Sequence, residues 1–483
     1  MAHGVVVVHG IGEQAKGESL AMVVNPLAEF LKQAGGPNFS LNYVVQIDSS
    51  PKPAEAVLTF SGTSPSGVAV PDSRWVFREA WWAKSLMPPS YREMLLWTAR
   101  QFGGQMRAIV RGLRNGIYEG VRDKLVPLPW PLKLYDRVVI FFLGLLLLLG
   151  VGPLFLFLLV SWAFSFLPNV LGLGTLSKQL EGLLKGFLVL NVGDTKVYVD
   201  HGLWAANVRR VIEEAVLDIL KGADFEDVTV ICHSWGAIIA YEALSRGGVV
   251  DEFLSKNPQP EKKITLVTVG SGLNRSLQMV DKSQSSLARP RLTRRLMPSI
   301  FWLNLYSRYD PVPAGPIDSA LFAQSGLQKT SIKQSRVVNL DDIINDHGAY
   351  WENKDLVAPR LVRAINGGNY PFIETHLNPA RILHRLASVA KMASLRLFFI
   401  YLALAHAFAA WLFRGWGQGM VGFVERVPLL GEGLVKVHQW LKLNQPLGLN
   451  LEPLAVWALA ILLVAILALT VYKIIRYGIW QDL

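Results

Sequence analysis

Cysteine is almost absent from this 483-residue chain, in which Cys232 is the single one. One thiol excludes a disulfide scaffold and any zinc cluster built from several cysteines. Charged residues are sparse as well, at 18% of the chain, whereas 51% of its residues are hydrophobic. This composition excludes an intrinsically disordered protein, and it is too apolar for a wholly water-soluble one. We therefore expect part of the chain to contact lipid.

Acidic residues are fewer than basic ones, 37 against 48, which gives a formal net charge of +11. The basic residues lie beside apolar segments and form no compact run, a pattern that favours an anionic membrane surface over nucleic acid as partner. The glycine-rich stretches lack the spacing and the acidic residue of a dinucleotide site. Nothing in the sequence indicates a metal, a nucleotide or haem, so we expect no cofactor.

Short β-branched runs alternate with amphipathic helical segments in two parts of the chain. Strands are predicted at 5–8, 43–47, 56–60, 75–82, 196–199, 228–232, 264–269, 301–306 and 336–340, and the clearest helices at 19–34, 205–220 and 237–245. This alternation predicts an α/β fold with a mainly parallel sheet and helices on both faces. The first residues, MAHGVVVVHGIG, have neither a basic leader nor a cleavage site, so no secretory signal is expected there.

Three apolar stretches are long enough to enter a bilayer. No charged residue occurs over 138–177, and 397–413 and 453–472 each approach the roughly 20 residues of one helical crossing. A buried core helix is the alternative for each of them. Four basic residues and no acidic one lie between 381 and 396, so the positive-inside rule places that side in the cytoplasm. An integral membrane protein with that side in the cytoplasm is the expectation.

These patterns divide the chain into four parts. Residues 1–90 and 191–375 form the two halves of the α/β domain, 91–190 is an amphipathic and apolar membrane insertion, and 376–483 is a C-terminal membrane domain with spans near 397–413 and 453–472. The basic segment 91–133 fits either an interfacial helix or an ordinary amphipathic helix with a solvated face. The arginine-rich loop before Phe301 likewise fits either anionic headgroup binding or a solvated loop.

Residues 228–245 read as a strand, a sharp turn and a helix, with Ser234 at the apex of the turn. This is the pattern of a nucleophile elbow, in which small neighbours accommodate a strained serine. Gly236 keeps the second glycine of the usual Gly-x-Ser-x-Gly motif, and Cys232 replaces the first. The alternative for Ser234 is an ordinary helix N-cap.

A nucleophilic serine needs a base and an acid, which follow it in the order acid, then histidine, in this type of fold. Asp310 follows the predicted strand 301–306 and is the candidate acid, although an aspartate before proline is also a common turn residue. His347 follows the last predicted strand and is the candidate base, with a surface-loop histidine as the alternative. Other candidates, less well placed, are Asp341, Asp342 and Asp346 for the acid, and His201, His233, His376 and His384 for the base.

The negative charge that develops during acyl transfer needs backbone N–H donors. Trp235, directly after the serine, is one expected donor. The other is expected from the loop after the first strand, at Ile11 or else Gly12. His9, Gly10, Cys232, His233 and Gly236 are expected to support this loop and the elbow.

The segments VVVVHGIGEQ, REAWWA, GDTKVYVDHG, VTVICHSWGAIIAYEAL, LVTVGSGL, NLYSRYDPVPAGP and DHGAYW together resemble the α/β-hydrolase superfamily, and more narrowly bacterial lipase-like serine esterases. The resemblance covers about residues 4–82 and 190–365. It implies an α/β-hydrolase fold with Ser234, Asp310 and His347 as a catalytic triad. Cys232 and Trp235 depart from the most common pattern of that family, and so does the large apolar insertion.

The expected function is an integral-membrane serine hydrolase that cleaves the esters of membrane lipids or lipid-like substrates through an acyl-enzyme. An acyltransferase with the same triad and an inactive membrane scaffold with the same fold are the alternatives. Residues 9–12 and Ser234 must share one site although 138–177 lies between them. That stretch is therefore expected to be a hairpin, a re-entrant dip or a surface-lying pair, and not a single crossing.

Overall fold

A computed structural model of the chain describes residues 2–12, 14–47, 52–83, 89–90, 93–94, 96–97, 193–258, 262–274, 276, 294–307, 310, 312–313, 315–317, 332–337, 339 and 346–366. All of them belong to the first of two compact units, residues 1–389. The predicted membrane stretches 138–177, 397–413 and 453–472 lie outside the described residues. Within the described residues, no helix is both long enough and apolar enough to cross a membrane.

One eight-stranded sheet organises the described residues, in the order β2-β3-β4-β1-β5-β6-β7-β8. The strands are β1 (Ala2–Val8), β2 (Ser40–Gln46), β3 (Glu55–Thr63), β4 (Ala69–Ala80), β5 (Phe225–His233), β6 (Ile264–Val269), β7 (Ile300–Ser307) and β8 (Ile332–Val337). The helices are α1 (Glu18–Ala34), α2 (Gly202–Lys221), α3 (Gly236–Ala243), α4 (Val249–Lys256) and α5 (Ala358–Asn366). Pairing is antiparallel for β2, β3 and β4, and parallel from β4 through β1 to β8. The predicted α/β fold with a mainly parallel sheet is confirmed.

The central strand β1 is buried on both faces, as its run of valines predicts. Val6 and Val8 belong to a core cluster that includes side chains of α2 and α3. Val5 and Val7 alternate with them and are equally buried, on the face where α1 and α5 pack. Helices therefore cover both faces of the sheet.

Six parallel strands, β4, β1, β5, β6, β7 and β8, end at the same edge of the sheet. In the register of the pairs, Val8 lies beside Cys232, His233 beside Val269, and Ser307 beside Val337. The loops that follow β1, β5, β6, β7 and β8 therefore emerge side by side, at the edge where open α/β sheets bind their ligands.

The strand predicted at 196–199 is wrong, because residues 193–200 are helical. The alternation of Val197 and Val199 suggested a strand buried on one face, yet both residues and Tyr198 between them join the core. Local bonds stabilise the helix: the His201 N–H donates to the Val197 carbonyl at 2.9 Å, and Lys196 pairs with Asp200 at 3.5 Å. Because nearly every residue of the segment is buried, its sequence lacks the polar face that marks an amphipathic helix.

The last strand also lies earlier than predicted, at Ile332–Val337 instead of 336–340. Its first residues include Lys333, Gln334 and Ser335, whose polarity concealed an edge strand. Strand β4 similarly ends at Ala80, before the predicted limit of 82. Trp82 has left the sheet by then, and its indole packs against the imidazole of His9.

The first turn of α1 is held by Glu79, a buried residue at the end of β4. Its Oε2 accepts the Gly17 N–H, and its carboxylate also faces the backbone N–H groups of Ser19 and Leu20. A carboxylate at this position satisfies amide groups that no helical carbonyl can reach, and it complements the helix dipole.

We expect Glu79→Gln to lower the free energy of unfolding by about 1–2 kcal/mol, because the charged acceptor at the helix N-terminus is lost. Thermal unfolding of the purified full chain measures this. The matched control is Glu55→Gln, which removes a partly exposed ion pair with Arg78 and should cost at most about 1 kcal/mol. Equal losses in the two variants would contradict the capping role.

Candidate active site

Ser234 is in a strained backbone conformation at the turn between β5 and α3. Its φ of 55° is the single positive value among the described residues other than glycine, and such a conformation costs about 1–3 kcal/mol. Neighbouring main chain holds the turn: the Ser234 N–H donates to Val269 O at 3.0 Å, and the Ser234 carbonyl accepts the Gly272 N–H at 3.2 Å. The predicted elbow geometry is present.

The elbow and the loop after β1 approach each other so closely that side chains are excluded between them. A Cβ on Gly236 would lie 2.2 Å from the His9 carbonyl oxygen, and a Cβ on Gly10 would lie 2.9 Å from the Ser234 Cβ. Cys232 is fully buried nearby, with its Sγ 3.3 Å from the Val267 carbonyl oxygen. Burial raises the pKa of this thiol well above its usual value, so Cys232 is a packing residue and not a nucleophile.

Three side chains from three loops form a continuous hydrogen-bonded chain. The His347 Nε2 lies 2.8 Å from the Ser234 Oγ, and the His347 Nδ1 lies 2.8 Å from the Asp310 Oδ2. Ser234 and Asp310 are buried, at 8% and 2% exposure, while the His347 side chain keeps 27%. The loops after β5, β7 and β8 thus bring together the three residues that the sequence singled out.

The carboxylate of Asp310 has two further partners. The Tyr350 hydroxyl donates to Oδ2 at 2.8 Å, and the Val312 N–H donates to Oδ1 at 2.8 Å. The same hydroxyl accepts the Ser307 N–H at 2.7 Å. Burial and the adjacent Asp310 raise the pKa of Tyr350 well above its usual value, which keeps the phenol protonated as a donor. Sequence reasoning missed Tyr350; its position three residues after His347 was the available signal.

Side-chain amides from the loop after β6 and from strand β8 hold the loop that carries Asp310. Asn274 Nδ2 donates to the carbonyls of Pro313 and Pro316 at 2.9 and 3.0 Å. Gln334 exchanges hydrogen bonds with the main chain of Ile317, and its Oε1 also accepts from Asn304 at 2.8 Å. These contacts leave the acid little freedom to move away from His347.

His9 braces the loop after β1. Its Nδ1 is 2.7 Å from the Gly10 carbonyl and therefore carries the proton, while its Nε2 accepts the Trp82 N–H at 3.1 Å. The imidazole stacks on the Trp82 indole at 4.6 Å, and the Trp82 Nε1–H donates to the His9 carbonyl at 3.2 Å. Both ring nitrogens are occupied, so His9 supports the loop.

The candidate oxyanion donors differ in what surrounds them. The Gly12 N–H donates to the Asp194 Oδ2 at 3.2 Å and is already engaged. Within the described residues, no acceptor contacts the N–H of Ile11 or of Trp235. Trp235 follows the nucleophile directly and Ile11 follows Gly10, which lies against Ser234. Ile11 and Trp235 therefore carry the two predicted N–H groups that no acceptor within the described residues engages.

The competing residues have other positions. His233 Nε2 lies 2.9 Å from the His347 carbonyl, and His201 is exposed at the start of α2. Asp346 is buried beside Asn339, whose Nδ2 donates to the Asp346 carbonyl at 2.8 Å. Asp341, Asp342, His376 and His384 lie outside the described residues.

Protonation of His9 opposes folding. Burial lowers the pKa of His9 to about 4 from 6.5, so the unfolded chain binds more protons between these values. The contribution of His9 to stability is complete above about pH 6.5, and it is lost as the pH falls from there to about 4.

We expect His9→Gln to be less stable than the wild type at pH 7.5 and to lose less stability on acidification. Between about pH 4 and 6.5, the free energy of unfolding of the wild type should change with pH more steeply than that of the variant. The difference should reach up to one proton, or about 1.4 kcal/mol per pH unit. Thermal unfolding from pH 4 to 8 measures it, with the exposed His201→Gln as control. A variant slope as steep as that of the wild type would contradict the assignment.

The described residues contain no cluster of three or more histidine, cysteine, aspartate or glutamate side chains arranged to hold a metal ion. The arrangement of Ser234, His347 and Asp310 instead provides a hydroxyl, a base in contact with it, and a carboxylate that orients the base. In comparisons with known proteins, no family model and no curated protein matches the chain.

Proposed function

We propose that this protein is a serine hydrolase that cleaves carboxylic esters. The observation that carries the proposal is the chain of two 2.8 Å contacts from the Ser234 Oγ through His347 to Asp310. A serine hydroxyl at its ordinary pKa is a weak nucleophile, and a base in direct contact with it activates it. Asp310 fixes the tautomer of His347 with the proton on Nδ1, which leaves Nε2 free to accept.

The reaction follows from this geometry. Ser234 Oγ attacks the ester carbonyl carbon while His347 Nε2 takes the hydroxyl proton. The N–H groups of Ile11 and Trp235 are the proposed donors to the resulting oxyanion. His347 then gives its proton to the departing alkoxide, and the acyl group stays on Ser234. Water, activated by the same imidazole, attacks the acyl-enzyme, which releases the acid and restores the serine.

The topology supports an α/β-hydrolase fold as part of the proposal. The nucleophile follows β5 at a strained turn, the acid follows β7 and the histidine follows β8, which is the chain order of that fold. The candidate oxyanion loop follows β1, which lies beside β5 in the sheet. An inactive scaffold would need none of these contacts, since binding alone does not require a base at 2.8 Å from a strained serine.

Lipid-like esters are the proposed substrate class. The support is the apolar sequence at 138–177, 397–413 and 453–472 together with the excess of basic residues. A catalytic domain held at an anionic membrane, with its site on the cytoplasmic side of the inner membrane, would receive amphiphilic esters from the lipid surface.

We expect an alkyl fluorophosphonate probe to label the wild-type chain and not Ser234→Ala, because phosphonylation needs the activated hydroxyl. Gel fluorescence of the purified full chain measures labelling. Ser255→Ala is the matched control, since Ser255 lies exposed on α4 and its hydroxyl bonds to the Asp251 carbonyl; it should label like the wild type. Labelling of Ser234→Ala, or failure of the folded wild type to label, would contradict the proposed function.

We expect Asp310→Asn to lower the labelling rate about 10³–10⁴-fold, because the amide favours the wrong tautomer of His347. Tyr350→Phe keeps the carboxylate and removes one donor to it, so a smaller decrease of about 10-fold is expected. Time courses at several probe concentrations give both rate constants. Equal rates for Asp310→Asn and the wild type would exclude Asp310 as the acid.

Incubation of the wild type with a bacterial lipid extract, followed by mass spectrometry, tests the substrate class. Hydrolysis predicts a free fatty acid and a deacylated product, both absent with Ser234→Ala. New acylated alcohols without free acid would indicate acyl transfer instead. An unchanged extract alongside turnover of a short-chain soluble ester would contradict the lipid-like substrate.

A further inference from the structure

His233 links the nucleophile to the base through contacts that the reaction scheme does not use. It immediately precedes Ser234, and its Nε2 lies 2.9 Å from the backbone carbonyl oxygen of His347. Because a carbonyl oxygen only accepts hydrogen bonds, this nitrogen carries the proton and donates it. His233 therefore cannot accept the Ser234 proton at Nε2, and it binds the main chain of the residue that does.

The two imidazole rings are also in contact. The His233 and His347 rings stack with centroids 4.6 Å apart and planes 29° apart. The edges of Tyr350 and Trp351 enclose the His233 ring, with centroid distances of 6.0 and 5.7 Å. His347 is thus held at two points, its carbonyl oxygen by a hydrogen bond and its ring face by packing.

We propose that His233 is a positioning residue that sets His347 Nε2 against Ser234 Oγ, an inference that rests on the proposed function. The two contacts of His233 with His347 are called the clamp here. Because His233 is joined to Ser234 by a peptide bond of the strained elbow, the clamp keeps its position relative to the nucleophile. Without this clamp, the distance between hydroxyl and base would depend on the packing of the loops after β7 and β8. A displacement of about 1 Å in such a contact can cost about 100-fold in rate.

The clamp adds no positive charge next to the base. Burial, and then the nearby His347, lower the pKa of His233 to about 3. His233 therefore stays neutral while His347 gains and loses its proton. Asp310 contacts His347 Nδ1, Tyr350 contacts the His233 ring, and Asp346 lies near Tyr350. The Asp310 carboxylate is the group that stabilises the imidazolium.

Two substitutions separate the two contacts. His233→Gln places an amide donor where Nε2 lies and removes the ring, whereas His233→Phe keeps the ring and removes the donor. The probe is the alkyl fluorophosphonate, and the readout is its second-order rate constant with the full chain from pH 5 to 9. His3→Gln is the matched control, because His3 lies at the opposite end of the sheet, at the start of β1.

We expect His233→Phe to lower the rate constant about 10- to 100-fold and His233→Gln to lower it less, about 3- to 10-fold. The acid limb of the pH profile should persist in both variants, since neither substitution changes the general base. His3→Gln should stay within about twofold of the wild type. Rate constants for Phe and Gln variants within about twofold of the wild type would overturn the positioning role, and so would loss of the acid limb in either variant.

Hydrogen exchange provides a readout that does not depend on activity. We expect faster amide exchange over 346–350 in His233→Phe than in the wild type, with partial recovery of protection in His233→Gln. If the wild type resists the probe while this exchange pattern holds, the proposed function fails and the contact to the His347 loop stands. If the wild type labels and exchange over 346–350 is the same in all variants, the clamp fails and the proposed function stands.

Discussion

The contact between the loop after β1 and the elbow after β5 is the constraint on which the site depends. Main chain from the two segments approaches so closely that a single methyl group at Gly236 would overlap the His9 carbonyl. This proximity sets the candidate N–H donors beside a serine held at a positive φ. The two strands are hydrogen-bonded neighbours, so the sheet register fixes the spacing of the loops before any side chain contributes.

Around that constraint, several buried polar groups bond to partners on other loops. Tyr350 joins the loop after β8 to Ser307 and Asp310 at the end of β7, and Asn274 joins the loop after β6 to the loop after β7. Each such bond keeps a donor or acceptor from being left unpaired in the interior, which would cost about 1–3 kcal/mol. The same bonds hold the groups of the site at distances that a mobile loop would not maintain. The same hydrogen bonds therefore stabilise the fold and position the groups of the site.

Much of this was predictable because strand ends and their chain order are local signals. The valine run of β1 and the turn at Ser234 indicated two strands whose following loops meet in one site, and Asp310 and His347 followed later strands in the required order. The bond of Tyr350 to Asp310 and the contact of His233 with His347 could not be predicted from such signals, since each joins residues far apart in sequence. The helix at 193–200 and the early start of β8 were missed because full burial or edge polarity erased the expected alternation. The antiparallel β2-β3-β4 arrangement depends on pairing, which hydrophobic periodicity does not encode.

Two segments that are far apart in the sequence contact the loop after β1. Trp82 stacks on His9 just before residues 84–192, and Asp194 accepts the Gly12 N–H just after them. His9 and Gly12 are three residues apart, so the two ends of that long segment are fastened within about 11 Å of backbone from each other. The contacts on either side of this interval hold the chain at one loop, so the order of the strands in the sheet is compatible with an interval of more than a hundred residues.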